Sequence, residues 1–410
     1  MNIHKSRQSG GSRYLSAAVS AVLSLAAASA HGDPRNGVVT SGSATISTPD
    51  ANLTQIDQGS RSATINWQSF DVAAQERVIF NQPTSSSVAL NRIQAQDPSH
   101  IYGSITANGR VFLINPNGII FGASARINVG SLVASSLDLT AADAQSGHYA
   151  FSAAAGRSGA IVNGGQITAA NGGSVTLLGG SVLNNGLIVA NYGSVNLGAG
   201  RSATLDFAGD GLVRFQIDAG LLSNGSGAGA AVDNAGEIVA DGGQVLLTAR
   251  QANDVIARAV NNDGVIRAAR IENVGGRIRL VGPEGGVINS GTLDATGVGA
   301  TSTGGEVQVL GAQVALSDTS IVDVTGSAGG GTALIGGSFH GADTTILNAQ
   351  QTDVQSGAVI RANSLVSGAA GQVVVWSDGN TTFNGEIIAQ ATGFTERTRR
   401  STGPITNAQM

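Results

Sequence analysis

Gly172-Gly173-Ser174-Val175-Thr176-Leu177 decides the fold, because it comes back. Its alternation returns as Ser194-Val195-Asn196-Leu197, Gln244-Val245-Leu246-Leu247, Arg277-Ile278-Arg279-Leu280, Glu306-Val307-Gln308-Val309, Thr332-Ala333-Leu334-Ile335 and Gln372-Val373-Val374-Val375. A period of two is the mark of a strand, so Val175/Leu177, Val195/Leu197, Val245/Leu247, Ile278/Leu280 and Val307/Val309 face one way. A second element precedes each of these: Ile167-Thr168-Ala169, Ile188-Val189-Ala190, Ile238-Val239-Ala240, Ile266-Arg267-Ala268, Leu293-Asp294-Ala295, Val322-Asp323-Val324, Ile360-Arg361-Ala362 and Ile388-Ala389-Gln390. Each unit reads as strand, Gly/Asn turn, strand, turn, at a commonest spacing of 20 to 29 residues. No such unit can bury its apolar side alone, so the units must stack.

Stacking them predicts an all-β parallel β-helix, or β-solenoid, whose coils lie about 4.8 Å apart around a narrow core of Val, Ile, Leu and Ala. The composition agrees: 59 glycines against 7 prolines in 410 residues, and only 4% aromatics. Glycine and asparagine are expected at corners with positive φ. The rival, a β-sandwich, calls for unrelated strands joined by hairpins instead of one motif repeated in order. One segment breaks the rhythm. Ala203-Thr204-Leu205-Asp206-Phe207 and Val213-Arg214-Phe215-Gln216-Ile217 flank Gly209-Asp210-Gly211 and predict a protruding β-hairpin whose phenylalanines cover the side of the stack.

Charge and chemistry narrow the classes of function. Charged residues make up 12% of the chain and the net charge is −5, which argues against nucleic acid as a partner. Cysteine is absent, which removes disulfides, thiolate zinc sites and thiol catalysis together. Residues 1–30 read as a signal peptide: Lys5, Arg7 and Arg13 are basic, Leu15 to Ala28 is apolar, and Ala28-Ser29-Ala30 is a small-x-small cleavage site. Cutting after Ala30 removes three cations and no anions, taking the net charge from −5 to −8. Export by the Sec machinery is expected.

Residues 31–155 differ from the repeats 156–394. Trp67, Phe70, Phe80, Tyr102, Phe112 and Phe121 concentrate there and predict a bulky cap that closes the core. The succession Ile65-Asn66-Trp67-Gln68-Ser69-Phe70, Val78-Ile79-Phe80-Asn81-Gln82-Pro83, Ala89-Leu90-Asn91-Arg92-Ile93, Ile101-Tyr102-Gly103-Ser104-Ile105-Thr106-Ala107-Asn108-Gly109 and Val111-Phe112-Leu113-Ile114-Asn115-Pro116-Asn117-Gly118-Ile119, continuing to Val129-Gly130-Ser131-Leu132-Val133-Ala134-Ser135, resembles the secretion domain of two-partner-secretion exoproteins, the filamentous haemagglutinin-like adhesin family. That resemblance covers residues 36 to 140. It implies a right-handed parallel β-helix and a second export step through an outer-membrane transporter with periplasmic POTRA domains. The family's Asn-Pro-Asn-Gly-Ile secretion motif falls on Asn115, Pro116, Asn117, Gly118 and Ile119. On physical grounds the same residues make a turn between two apolar strands, with Asn starting an Asx turn and Pro fixing φ. A turn required for folding and a direct contact with the transporter both remain open.

Asp294 and Asp323 occupy one position in consecutive repeats, 29 residues apart, and would stack on one face. Paired carboxylates can do acid/base work on a sugar or hold calcium. Arg267 and Arg361 take the same position on either side, so the favoured reading is a charge-compensated Arg, Asp, Asp, Arg ladder. His4, His31, His100, His148 and His340 are scattered without metal-ligand spacing. No catalysis, metal or cofactor is expected. Three functions stay in play: an adhesin contacting a host-cell or matrix receptor, a haem or haemopexin-type ligand-capture protein, and a glycan-active enzyme. Either way the product is secreted or held at the cell surface after crossing the periplasm. The tail 395–410 has neither glycine rhythm nor alternation, offers no obvious cap, and is consistent either with a truncated or frame-shifted longer adhesin or, equally, with a short natural product.

Overall fold

The computed structural model describes residues 34–140, 142–143, 149–154, 158–207, 213–219, 229–250, 258–392 and 408–409. The expected signal peptide with Ala28 and Ala30, together with His4, His31 and His148, lies outside the described residues. So do the side chains of Phe207 and Phe215 and most of the tail.

Within the unit Gly32–Met410 the chain winds as a right-handed parallel β-helix with three strands per coil. We call its faces A, B and C. Face A stacks Ser131–Ser135, Ser174–Gly179, Ser194–Ala199 and Gln244–Ala249 in parallel register, and the column Val175, Val195, Val245, Ile278, Val307, Ala333, Val373 is continuous. Face C stacks Gln166–Ala169, Leu187–Val189, Glu237–Val239 and Val265–Arg267. Both faces follow the alternation read from the sequence, and their inward residues are buried.

Face B, however, was not legible. Ala160–Asn163, Ser181–Asn184, Val232–Asn234 and Val260–Asn262 form a third ladder between A and C, so a two-strand repeat undercounts each coil. These strands are three or four residues long and end on an asparagine two residues before a glycine, so in the sequence they merge with the turns beside them. In Arg277–Asn289 one 13-residue strand turns the corner, pairing with face A through Arg277–Val281 and with face B through Val287–Asn289. Faces A and B therefore merge into a 21-stranded sheet, while face C forms a 13-stranded one.

The corner between B and C holds a polar spine. Asn163, Asn184, Asn234, Asn262 and Asn289 are all fully buried. Each Nδ2 donates to the Oδ1 of the next asparagine at 2.7 Å, and Asn289 finishes on Ser320 Oγ at 2.6 Å. Every buried amide is thus satisfied by its copy in the adjacent coil, as burial of a polar group demands. These asparagines are absent from the left-handed residues, which corrects the expectation of positive-φ corners at their positions. That expectation does hold at Gly118, Gly172 and Gly242. Two residues after each ladder asparagine stands a glycine required for close approach. A Cβ on Gly236, Gly264 or Gly291 would sit 2.2, 2.0 or 1.9 Å from the carbonyl oxygen of the equivalent glycine one coil earlier.

The expected cap is present. Val38–Ser41 runs antiparallel to Ser62–Trp67, and Ala44–Asp50 runs antiparallel to Leu53–Gln58, so both ladders end on reversed strands. Trp67 and Phe70 pack edge-to-face at 5.4 Å beneath it, and Trp67 Nε1 donates to buried Asn91 Oδ1 at 2.9 Å. The hairpin Ser202–Phe207/Val213–Ala219 is also present, and Tyr149–Ser152 joins it as a third antiparallel strand. Tyr149, Phe151, Ala203, Leu205 and Ile217 from this sheet pack onto the outward side chains of face A, among them Leu90, Phe112, Val133 and Leu178, making a second core.

Two corrections belong to the last coil. Ile387, not Ile388, pairs with Ile360 and is buried, while Ile388 lies beside Arg361 on the outside. Two adjacent isoleucines made the register ambiguous in the sequence. The tail is not without capping strand either: Ala408–Gln409 pairs antiparallel with Val374 and Val375 on the final face A edge.

Candidate functional site

Asn115 through Ile119 form the corner between face A strand Arg110–Ile114 and face B strand Ile119–Phe121. Gly118 N–H donates to Asn115 O at 2.9 Å, closing a four-residue turn in which Pro116 holds φ for the second position. Asn115 is fully buried. Its Oδ1 accepts from Asn117 N at 3.0 Å, an Asx turn, while Nδ2 donates backwards to Asp97 O at 3.0 Å and Ser99 Oγ at 3.1 Å. Asn117 Nδ2 donates to Ala95 O at 2.8 Å, also in the preceding coil.

The following coil closes over the turn. Gly159 N–H donates to Pro116 O at 3.0 Å, and a Cβ on Gly159 would lie 2.3 Å from Asn117 backbone. Gly118 has φ +112°, and a Cβ there would meet Ala160 O at 2.5 Å. Ile119 is buried in the interior. The five residues of the motif therefore form one unit clamped between two coils, with only Pro116 and Asn117 partly accessible.

The carboxylates fall in the predicted register, with Arg267, Asp294, Asp323 and Arg361 successive on face C. Their pairing is different from a continuous ladder. Arg267 turns to Asp241, one coil back, through contacts of 2.7 to 3.1 Å, and that carboxylate raises the guanidinium's pKa further. Asp294 and Asp323 each use Oδ1 to accept the backbone N–H two residues on, at 3.0 and 2.9 Å. Asp323 also faces Arg361 at 4.0 Å. Both aspartates are engaged in local turn capping, and no group of three potential metal ligands occurs among the described residues.

His100 stacks beside Tyr102 at 6.3 Å and lies 3.8 Å from Asp71. His340 sits in an aromatic group with Phe339 and Trp376. Sequence reading passed over this group because its members come from different coils, 36 residues apart. The asparagine spine was also missed, although Asn-x-Gly recurs at 163/165, 184/186, 234/236, 262/264 and 289/291 and would have revealed it.

Comparison with known proteins agrees with this architecture. The TPS secretion domain family matches residues 30–295, more than half of the chain. A heme/hemopexin-binding protein of Haemophilus influenzae is 32% identical over 261 residues, covering 62% of this chain and 28% of that protein. A second heme/hemopexin-binding protein of Haemophilus influenzae is 43% identical over 110 residues, covering 27% of this chain and 12% of the relative. The chain thus spans less than a third of the length of these curated relatives. Among solved structures, the HMW1 secretion domain from Haemophilus influenzae superposes with a TM-score of 0.76 at 30% identity, covering 88% of this chain and 92% of that one. A reversed-strand cap, parallel coils and a match over residues 30–295 together place the chain in the two-partner-secretion exoprotein family, whose members reach the cell surface or medium with the help of an outer-membrane transporter partner.

Proposed function

We propose that this chain is an adhesin-like exoprotein. Residues 31–155 are read by the POTRA domains of its outer-membrane transporter, and residues 156–394 fold outside as the surface that attaches to a host cell or matrix. The observation that carries this reading is the coil architecture: the stacked strands of faces A, B and C pair with the equivalent strands one coil before and one coil after. A coil that has just emerged can dock at once on the coil ahead of it, and apolar burial at about 25 cal/mol per Å2 then favours outward movement without ATP. In this reading Asn115-Pro116-Asn117-Gly118-Ile119 acts through the turn it makes, by setting the first complete coils of the stack. The test is export from the native host with and without the transporter. Transporter-dependent appearance in the medium or on the surface supports the reading, and retention in the periplasm despite the transporter sinks it.

A ligand-capture role is the second reading, favoured by the heme/hemopexin-binding name of the two relatives. Haem absorbance of the secreted product, or retention of haemopexin on it, separates this role from attachment. The geometry of Asp294 and Asp323 gives no support to a glycan-cleaving enzyme, since each carboxylate already caps its own turn.

A further inference from the structure

The longest insertions between described strands all join a face A strand to a face B strand, one after Ser135, one after Ala199 and one, over 336–350, after Ile335. In repeat proteins, insertions gathered on one side commonly mark a binding side. The third of them is built unlike a solvent loop. Phe339, 41% exposed, stacks on His340 with ring centroids 3.9 Å apart, and His340 leans on Trp376 at 5.7 Å. His340 is held in the left-handed region at φ 53°, ψ 20°, a conformation that persists in a non-glycine residue only when its surroundings fix it. Those surroundings are visible. Asn348 Oδ1 accepts from Ser338 N at 3.2 Å, Asn348 Nδ2 donates to Gly341 O at 3.3 Å, and Trp376 Nε1 donates to Asp378 Oδ1 at 3.0 Å.

Beside this platform lies a cleft of about 300 Å3 on the outer side of face B. Gln313, Gln351 and Asn380 line it as one column, in register across three coils, and Asp353 and Thr382 line it as the next. Platform and cleft are joined along the chain: Asp378, which accepts from Trp376 Nε1, stands two residues before Asn380 of the cleft, and Gln351 of the cleft directly follows the insertion. The cleft is lined by three amides, two threonines, one carboxylate and the apolar Val287, Ile288, Val314 and Ala315, and by no arginine.

We infer that this cleft and its aromatic rim form a binding site for a neutral glycan. Amide and carboxylate side chains repeated about every 4.8 Å present a row of donors and acceptors along which the hydroxyls of a sugar chain can be hydrogen-bonded. An exposed aromatic face accepts the C–H face of a pyranose ring while its edge stays wet. The carboxylates Asp353 and Asp378, with no cation in the lining, repel sialylated or sulfated chains. The site deepens the attachment reading above and relies on it only for the protein's being outside the cell. Because binding is measured on purified secreted protein, failure to bind and failure to export are separate results.

The chain has two tryptophans, and Trp67 is buried in the cap, so ligand-dependent fluorescence reports on Trp376. The secreted protein is titrated with soluble oligosaccharides of glucose, galactose and N-acetylglucosamine and with sialylated counterparts. A saturable change with at least one neutral series, and none with the sialylated ones, is expected. Phe339→Ala should weaken binding about 2- to 10-fold, and Gln351→Ala should weaken it by a similar factor of about 2 to 10. Both side chains are exposed, so circular dichroism and melting should match the parent; should Phe339→Ala unfold, Gln351→Ala decides. Absence of binding to every neutral series, preference for sialylated chains, or undiminished affinity in the deciding variants overturns the assignment.

Discussion

Replacing Asn115 by alanine separates the two explanations of the secretion motif. The side chain is fully buried and makes three hydrogen bonds, to Asp97 O, Ser99 Oγ and Asn117 N, at 3.0 to 3.1 Å. At about 1 kcal/mol for each bond, Asn115→Ala should cost about 3 kcal/mol. Asn117 makes one good bond outside the turn, to Ala95 O, so Asn117→Ala should cost about 1 kcal/mol. Denaturant unfolding of both variants, followed by far-UV circular dichroism, is compared with the amount secreted per cell in the presence of the transporter. If the motif acts by folding, secretion falls with stability: steeply for Asn115→Ala and little for Asn117→Ala. Loss of secretion in Asn117→Ala with an unfolding curve shifted by only about 1 kcal/mol would refute the argument, because its partly accessible amide would then be read directly by the transporter. An Asn115→Ala curve matching the parent would refute it from the other side.

Asn234→Ala interrupts the buried spine by removing the bonds to Asn184 and Asn262, and should lower stability by about 2 to 3 kcal/mol in the same unfolding experiment. Gly193→Ala places a Cβ 1.7 Å from Gly173 O, which forces adjacent coils apart and should cost about 1 to 3 kcal/mol; faster hydrogen exchange at Ser194 and Gln244 would locate the damage. Burial raises the carboxyl pKa of Asp233 despite the hydrogen bond from Asn261. A carboxyl raised in the folded state favours folding below its unfolded pKa and loses that contribution as pH rises through the folded value. Asp233→Asn should therefore melt higher than the parent at pH 7, and the difference should vanish near pH 3; a difference independent of pH would count against the argument.

How much the sequence disclosed depended on strand length and on locality. Face A was legible because Val175/Leu177 and their successors alternate over four or more residues, and burial on one side fixes their register. Face C, though its strands are short, was legible because an apolar-x-apolar triplet such as Ile188-Val189-Ala190 recurs ahead of the face A strands. Face B was hidden because Val232–Asn234 and Val260–Asn262 offer one inward apolar residue each before an asparagine that looked like a turn. The Tyr149–Ser152 strand was missed for another reason: its partner Ser202–Phe207 is some fifty residues away, and no local pattern encodes that pairing. At the secretion motif the turn chemistry was readable from Asn115, Pro116 and Gly118. Its clamping between Ala95–Ser99 and Gly159–Ala160 was not, since both clamps come from other coils. The charge ladder shows the same limit, because register alone did not reveal that Arg267 prefers Asp241 to Asp294.

The buried asparagine spine has one more consequence. A slip of one residue would turn the apolar side chains outward, but a slip of two keeps them facing in, so Val, Ile and Ala alone set the register only weakly against it. An amide is less forgiving. Displaced by two residues, Asn262 leaves the corner and the buried Asn234 Nδ2 keeps only its long bond to Gly236 O at 3.4 Å, a penalty of about 1 kcal/mol or more that the correct alignment avoids. The spine thereby works as a proofreading mark for register, checked once per turn along these coils.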